Sequence, residues 1–344
     1  MAKERVIYFD ILNIVSCISV IWLHCNSILY RYDQSPYWYL SLFVQVAAHF
    51  AIPCFLMISG ANLMNYRQKY STQEYIIKRV TRSLIPLFIW SGVSLVFRNW
   101  RGDIHPDNFS DVVELFMNHE IDNIYWFFFP LFGVYLCIPV LSLIAKRKYL
   151  KYFLYMALLG ILFYSVVPYF MDEVFDLRYS EHVIFPLAAG YLPYALMGYY
   201  LANKKISMPA RISIYVIGIA SALYMYYGTI QQSLDSGSFN NVLIDYQSFV
   251  SYGFAFAVFL LFKDIGFQFL NHPTLIRIIS VISGASLGVY LIHMLVMDSL
   301  IDIAGINVYG YGWQLFGQFP VYIIALIIVL LFKKIPFLGK FIFP

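Results

Sequence analysis

The sequence predicts an all-α, polytopic membrane protein with about ten transmembrane helices and both termini in the cytoplasm. Three observations predict it. The 344 residues are 61% hydrophobic and only 12% charged, with a mean hydropathy of +0.69, whereas soluble proteins are about a quarter charged. Apolar runs of the length a membrane helix needs recur along the chain. Lys and Arg, finally, are shared very unequally between the two sides. A chain this poor in charge cannot clothe a water-facing surface, which excludes disorder, collagen-like repeats and a soluble enzyme domain. Ten spans of about 20 residues consume roughly 200 positions, so residues 1–344 read as a single membrane domain with no separate soluble domain.

Bounded by charges or turn clusters, the spans fall at 7–30, 37–64, 84–98, 124–144, 152–169, 184–202, 211–228, 247–262, 275–298 and 317–332. The first follows Lys3 and Arg5 but carries Asp10 and Asn13 and lacks a small-x-small cleavage pattern, so it reads as a retained helix and not a signal peptide. Alternate loops on the N-terminal side collect nineteen cations, in clusters such as Lys78-Arg79-Val80-Thr81-Arg82 and Lys146-Arg147-Lys148. The opposite side has only Arg31, Arg98, Arg101 and Arg178. The positive-inside rule then places both termini in the cytoplasm of a multi-pass plasma-membrane protein. The longest outer loop, with Asp103, Asp107, Asp111, Glu114, Glu120 and Asp122, reads as a solvated acidic loop. An alternative is a short surface helix capped by Asp107, with Val112, Val113, Leu115 and Phe116 along the interface. Residues 333–344, with Lys333, Lys334 and Lys340, read as an interfacial cytoplasmic tail. Aromatic residues near span ends, among them Trp38, Tyr125, Trp126 and Tyr199, read first as interfacial anchors and second as ligand platforms.

Polar side chains at membrane depth are costly and are functional candidates by default. Asp10, Asn13 and His24 fall within roughly 60° of one another on the first helix and form one stripe, which must face other helices. His24 and His293 lie on two helices running outward, each about five residues from the outer end, so both imidazoles sit at one depth and suit proton transfer near neutral pH. His49 reads as a packing or helix-bridging residue. Cys17, Cys25, Cys54 and Cys137 lie in apolar runs without paired spacing and read as buried apolar residues. No metal is expected, no nucleic-acid partner is indicated, and neither a P-loop nor a dinucleotide fingerprint occurs. The cationic cluster Lys78, Arg79 and Arg82 at a helix mouth suits a phosphate-bearing ligand.

Several stretches together resemble the bacterial integral membrane acyltransferases of the acyltransferase type 3 family. They are Tyr8-Phe9-Asp10-Ile11-Leu12-Asn13 running to Ile21-Trp22-Leu23-His24, Ile52-Pro53-Cys54-Phe55-Leu56-Met57-Ile58-Ser59-Gly60, Lys78-Arg79-Val80-Thr81-Arg82-Ser83-Leu84-Ile85-Pro86, and Ser286-Leu287-Gly288-Val289-Tyr290-Leu291-Ile292-His293. Gly133 to Pro139 and Tyr191 to Tyr200 also fit. The resemblance implies that acyl-CoA, acetyl-CoA above all, enters from the cytoplasm, that Arg79 and Arg82 with Lys78 hold its phosphates, and that His24 is the general base or relay. It also implies an extracytoplasmic sugar acceptor, a capsular or other surface polysaccharide or its lipid-linked precursor. Two departures stand out: Asn13 occupies the Arg position of the family's Arg-x10-His pattern, and relatives often carry His two before the Trp where this chain reads Asn123-Ile124-Tyr125-Trp126.

Acyl transfer from a thioester to a hydroxyl needs a base and donors for the developing oxyanion. His24 is the expected base. Asp10, roughly 20 Å along the helix and too far to orient it directly, is expected with Asn13, Tyr290 and His293 to support the reaction. Asn13 does so by a hydrogen bond to a thioester or pantetheine amide, and Tyr290 and His293 as supporting or oxyanion donors if the ninth helix lies near the first. The main rival reading is a glycan or small-molecule transporter on the same helices, and a third is a non-catalytic subunit of a polymer-synthesis complex.

Overall fold

The computed structural model describes residues 6–180, 188–335, 339 and 342–343. Among these residues all regular secondary structure is helical. In chain order the α-helices are α1 (Ile7–Cys25), α2 (Pro36–Ala48), α3 (Ala51–Leu63), α4 (Thr72–Arg79), α5 (Ile85–Arg101), α6 (Phe109–Met117), α7 (Phe128–Leu141), α8 (Leu150–Ile161), α9 (Val167–Tyr169), α10 (Leu192–Asn203), α11 (Met208–Ser236), α12 (Phe249–Ile265), α13 (Pro273–Ala304), α14 (Tyr311–Phe316) and α15 (Gln318–Phe332). Eight continuous helical stretches among the described residues are long and apolar enough to cross a bilayer, and the apolar α15 is shorter. The chain is a multi-pass membrane protein. Where ten spans were expected, α10 covers only the later part of the run at 184–202; residues 184–187, with Lys3, Arg5 and Lys340, lie outside the described residues.

Prolines account for the breaks in the second and third long stretches. A proline has no N–H to give the carbonyl four residues back, and its ring crowds that carbonyl. Pro53 stands four residues after His49, and the expected span 37–64 is accordingly divided at His49 and Phe50 into α2 and α3. Pro86 stands four after Arg82, and the turn Val80–Leu84 widens into a π-helix between α4 and α5. The basic segment and the third span are thus one helix, Thr72–Arg101, rather than a loop followed by a span at 84–98.

The tightest packing is between α3 and α10, which cross where both carry glycine. A Cβ on Gly60 would lie 2.0 Å from the Ala195 carbonyl oxygen, and one on Gly198 would lie 2.1 Å from that of Met57. Backbone therefore meets backbone, as small residues permit in membrane bundles. Helix α13 packs on α1 and α15, and α11 on α12.

Three sequence expectations are corrected. The outer loop contains the short helix α6, but its cap is Asn108, whose side-chain oxygen accepts the Asp111 N–H at 3.1 Å, and not Asp107. Its Phe116 ring stacks 5.3 Å from Phe88 of α5. The tail does not simply lie along the interface: Phe343 is buried 5.1 Å from the Trp90 ring, and Trp90 Nε1 donates to the Ile342 carbonyl at 3.1 Å. Trp38, Tyr125 and Tyr199 are buried core residues, not interfacial anchors. The four cysteines are free thiols.

Because the α3–α10 crossing leaves no room for a side chain, Gly198→Val costs about 1–3 kcal/mol through overpacking. The expected readout is a lowered thermal midpoint in detergent; a midpoint equal to wild type contradicts the crossing described here.

Candidate active site

Helix α1 can hold polar groups inside the bilayer only because α13 meets them one by one. Asn13 Nδ2 donates to the Ser283 carbonyl at 2.9 Å and to Ser283 Oγ at 3.1 Å. One turn on, the Cys17 thiol donates to the Ser286 carbonyl at 3.6 Å. Near the top, the His24 and His293 rings lie 5.2 Å apart, tilted by 44°. The end of α1 is tied down by Gln314, whose carbonyl accepts from Trp22 Nε1 at 2.7 Å and Asn26 Nδ2 at 2.9 Å. The Gln314 side chain reaches Ser41 Oγ of α2 at 3.0 Å.

The two histidines differ in setting. His293 is fully buried, and its Nδ1 lies 2.7 Å from the Tyr290 carbonyl. A carbonyl only accepts, so Nδ1 carries the proton and Nε2 keeps its lone pair. That Nε2 is buried without a hydrogen-bond partner. His24 is only partly buried.

Below the pair, between α1, α3, α7 and α13, runs a slot of about 190 Å³ lined among others by Asn13, Ser83, Tyr135, Gly284, Ser286 and Tyr290. Its lower end is ringed by cations. The Arg79 guanidinium lies 5.3 Å from the Tyr135 ring, Arg82 is exposed beside Ser83, and Lys333 Nζ donates to the Gly284 carbonyl at 3.0 Å. Arg79 Nε is buried without a hydrogen-bond partner. Lys78 is paired with Glu74 at 2.7 Å and sits over the Tyr70 ring. The upper end is Tyr290, whose ring lies 5.6 Å from that of His293. From Gly284 to His293 the axial rise is about 14 Å.

The structure therefore brings His24, His293, Tyr290 and Asn13 together along one face and sets Arg79 and Arg82 at its foot. Asp10 is not part of this group. It lines a separate cavity of about 630 Å³ at the basic end, with Asn62, Asn65, Lys69, Asn203 and Lys263. Tyr290 is not a free oxyanion donor, because its hydroxyl donates to the Ile124 carbonyl. Asn13 has its amide nitrogen engaged by Ser283, which leaves its side-chain oxygen as its acceptor. Ser286, which sequence reasoning passed over, lines the slot with a buried hydroxyl beside the Cys17 thiol. His49 bridges helices through Ser251 Oγ at 2.7 Å. Among the described residues no group of three or more His, Cys, Asp or Glu side chains is arranged to hold a metal ion.

A charge network near the site was also missed. Arg98 of α5 contacts Asp298 of α13 at 2.7 Å, Asp103 at 3.2 Å and Asp122 at 3.6 Å, and Arg101 reaches Asp298 and Asp302 at 3.5 and 3.4 Å. Asp122 is connected onward through Ser94 Oγ to Tyr125, whose hydroxyl meets the Leu291 carbonyl at 3.2 Å. This network joins α5 and the start of the α7 segment to α13 beside His293. Arg98 and Asp298 each end an expected span, and that equal depth was the available signal.

The site thus combines polytopic helices, a basic mouth and a slot that ends at Tyr290, beside the histidine pair. The chain matches the acyltransferase domain model over residues 6–335 and belongs to the acyltransferase type 3 family. No curated protein and no solved structure matches it. The family supports membrane acyltransferase activity.

Two outcomes test the network. Arg98→Gln leaves buried Asp122 uncompensated and costs about 3–5 kcal/mol, measured as a fall in thermal midpoint in detergent. Burial raises the Asp122 carboxyl to about 6, so in wild type this group withdraws stability as pH climbs from its ordinary value near 4 through about 6. In Asp122→Asn that component is gone, and the midpoint difference, variant minus wild type, rises across this window; a flat difference contradicts the assignment.

Proposed function

We propose that the protein is a cell-membrane O-acyltransferase that takes an acyl group from acyl-CoA at its basic end. In the simplest case the donor is acetyl-CoA. The acceptor is a hydroxyl of a surface polysaccharide or of its lipid-linked precursor at the His24 end, and both termini are cytoplasmic. The observation that carries this reading is the slot itself, with cations beside its foot, hydroxyl and amide groups along its wall and, at its head, Tyr290 against the His293 ring of the histidine pair. Arg79 and Arg82, helped by Lys78, are suited to the CoA phosphates. The narrow bore suits a pantetheine arm. Along it the Asn13 oxygen can accept from an amide N–H, and the Ser286 hydroxyl can donate to an amide carbonyl.

His24 is the better base because it is reachable while His293 is enclosed. It takes the proton from the acceptor hydroxyl as that oxygen bonds to the thioester carbonyl carbon. The tetrahedral intermediate collapses with cleavage of the C–S bond, and the CoA thiolate recovers the proton from the His24 imidazolium. His293, with its Nε2 lone pair, stabilises and orients that imidazolium. No net proton is consumed by the protein.

General-base participation is typically worth about 10²–10⁴ in rate, so His24→Ala leaves the surface polysaccharide with its O-acyl content almost abolished and its total amount unchanged. Acyl content and polymer yield are measured in cells expressing wild type, His24→Ala or neither. Loss of the polymer with normal acylation of the remainder overturns the enzyme reading in favour of transport.

A further inference from the structure

A second set of aromatic rings lies at the His24 end, and the reaction above does not use it. His49, Tyr246 and Trp126 form one stack. The His49 and Tyr246 rings are 4.4 Å apart at 8°, and the Tyr246 and Trp126 rings are 5.6 Å apart at 23°. The His49 end of the stack is closed, since His49 is fully buried and bonded to Ser251. The other end is open: Trp126 and Tyr191, 5.9 Å apart and tilted by 47°, both remain partly exposed. Trp126, Tyr191 and Tyr246 come from three separate segments, before α7, α10 and α12. Interfacial anchoring asks only that single rings reach the headgroups and gives no reason for three segments to converge on one stack.

The rim of this stack is polar. The Tyr191 hydroxyl and the Gln247 side chain are hydrogen-bonded, and the exposed Asp245 carboxylate accepts the Gln247 N–H at 2.6 Å. The platform also runs into the reaction centre through contiguous rings. Trp126 lies 6.3 Å from Phe127, Phe127 lies 5.7 Å from Tyr290, and Tyr290 adjoins His293.

We infer that Trp126 and Tyr191, rimmed by Asp245 and Gln247, form the acceptor subsite, and that its ligand is a pyranose ring of the glycan. A pyranose has an apolar C–H face and a girdle of hydroxyls. The face packs on an aromatic ring, while a carboxylate beside a carboxamide offers the hydroxyls both acceptors and a donor. A carboxylate at the rim disfavours a phosphate-bearing group there. A sugar bound on this platform is connected to the histidine pair through the Phe127 and Tyr290 rings. The chemistry that follows rests on the proposed function, but the binding does not.

The test is saturation-transfer NMR with the full-length protein in lipid nanodiscs. The probe is surface polysaccharide of the producing cells, stripped of acyl groups by alkali and fragmented. Wild type and His24→Ala saturate the sugar ring protons equally. Trp126→Ala and, independently, Tyr191→Ala weaken binding tenfold or more, and Trp126→Phe retains part of it. Wild-type-like binding in both alanine variants, or no saturation of the sugar by wild type, overturns the subsite. Should wild type bind the glycan in the Trp126-dependent way yet transfer no acyl group from acetyl-CoA, the acyltransfer reading falls and the subsite stands. Should transfer proceed with unaltered glycan dependence in Trp126→Ala, the subsite falls and the acyltransfer reading stands.

Discussion

A polar side chain within hydrocarbon must find its partner on another helix, because lipid supplies none. Beyond Asp10, helix α1 carries three such groups on one face that are met by α13: Asn13 by Ser283, Cys17 by the Ser286 carbonyl, and His24 by His293. That contact aligns the two helices in register and leaves the slot beside them. Disturbing it separates the histidines and opens the wall of the slot at once.

The rest of the bundle serves this seam. The glycine crossing of α3 and α10 lets two backbones approach until each would clash with a side chain on the other, which holds Phe55 and Ser59 of α3 against the slot. The π-turn forced by Pro86 swings Arg79 and Arg82 toward its foot. At the other end, Arg98 and its carboxylates hold α5 to α13. Buried ion pairs are poor sources of net stability, but removing one partner is costly because the other is left as an uncompensated buried charge. Here the stranded group would be Asp122.

Much of this was legible in the residues. The helical class followed from hydropathy. The stripe on α1 followed from helical period, and the shared depth of His24 and His293 from counting along two helices. Other features were not legible because they depend on which helix faces which. Asn13 read as a ligand group, but its hydrogens are engaged by Ser283. Tyr290 read as an oxyanion donor, but its hydroxyl holds Ile124. Ser286 is one serine among many until a cavity is seen to pass it. Trp126 stood among other span-end aromatics until Tyr246, far along the chain, was found stacked upon it.

By itself the sequence determined the solvent in which this protein lives and which residues are costly to bury there, since both follow from local composition and from a period of 3.6 residues per turn. Two of the helix breaks have a local cause as well, since Pro53 and Pro86 each act on the carbonyl four residues before them. The tertiary structure alone decided which buried polar groups pair with one another and which are left unpaired along a cavity. Pairing is a property of distance between helices, and sequence separation does not encode it.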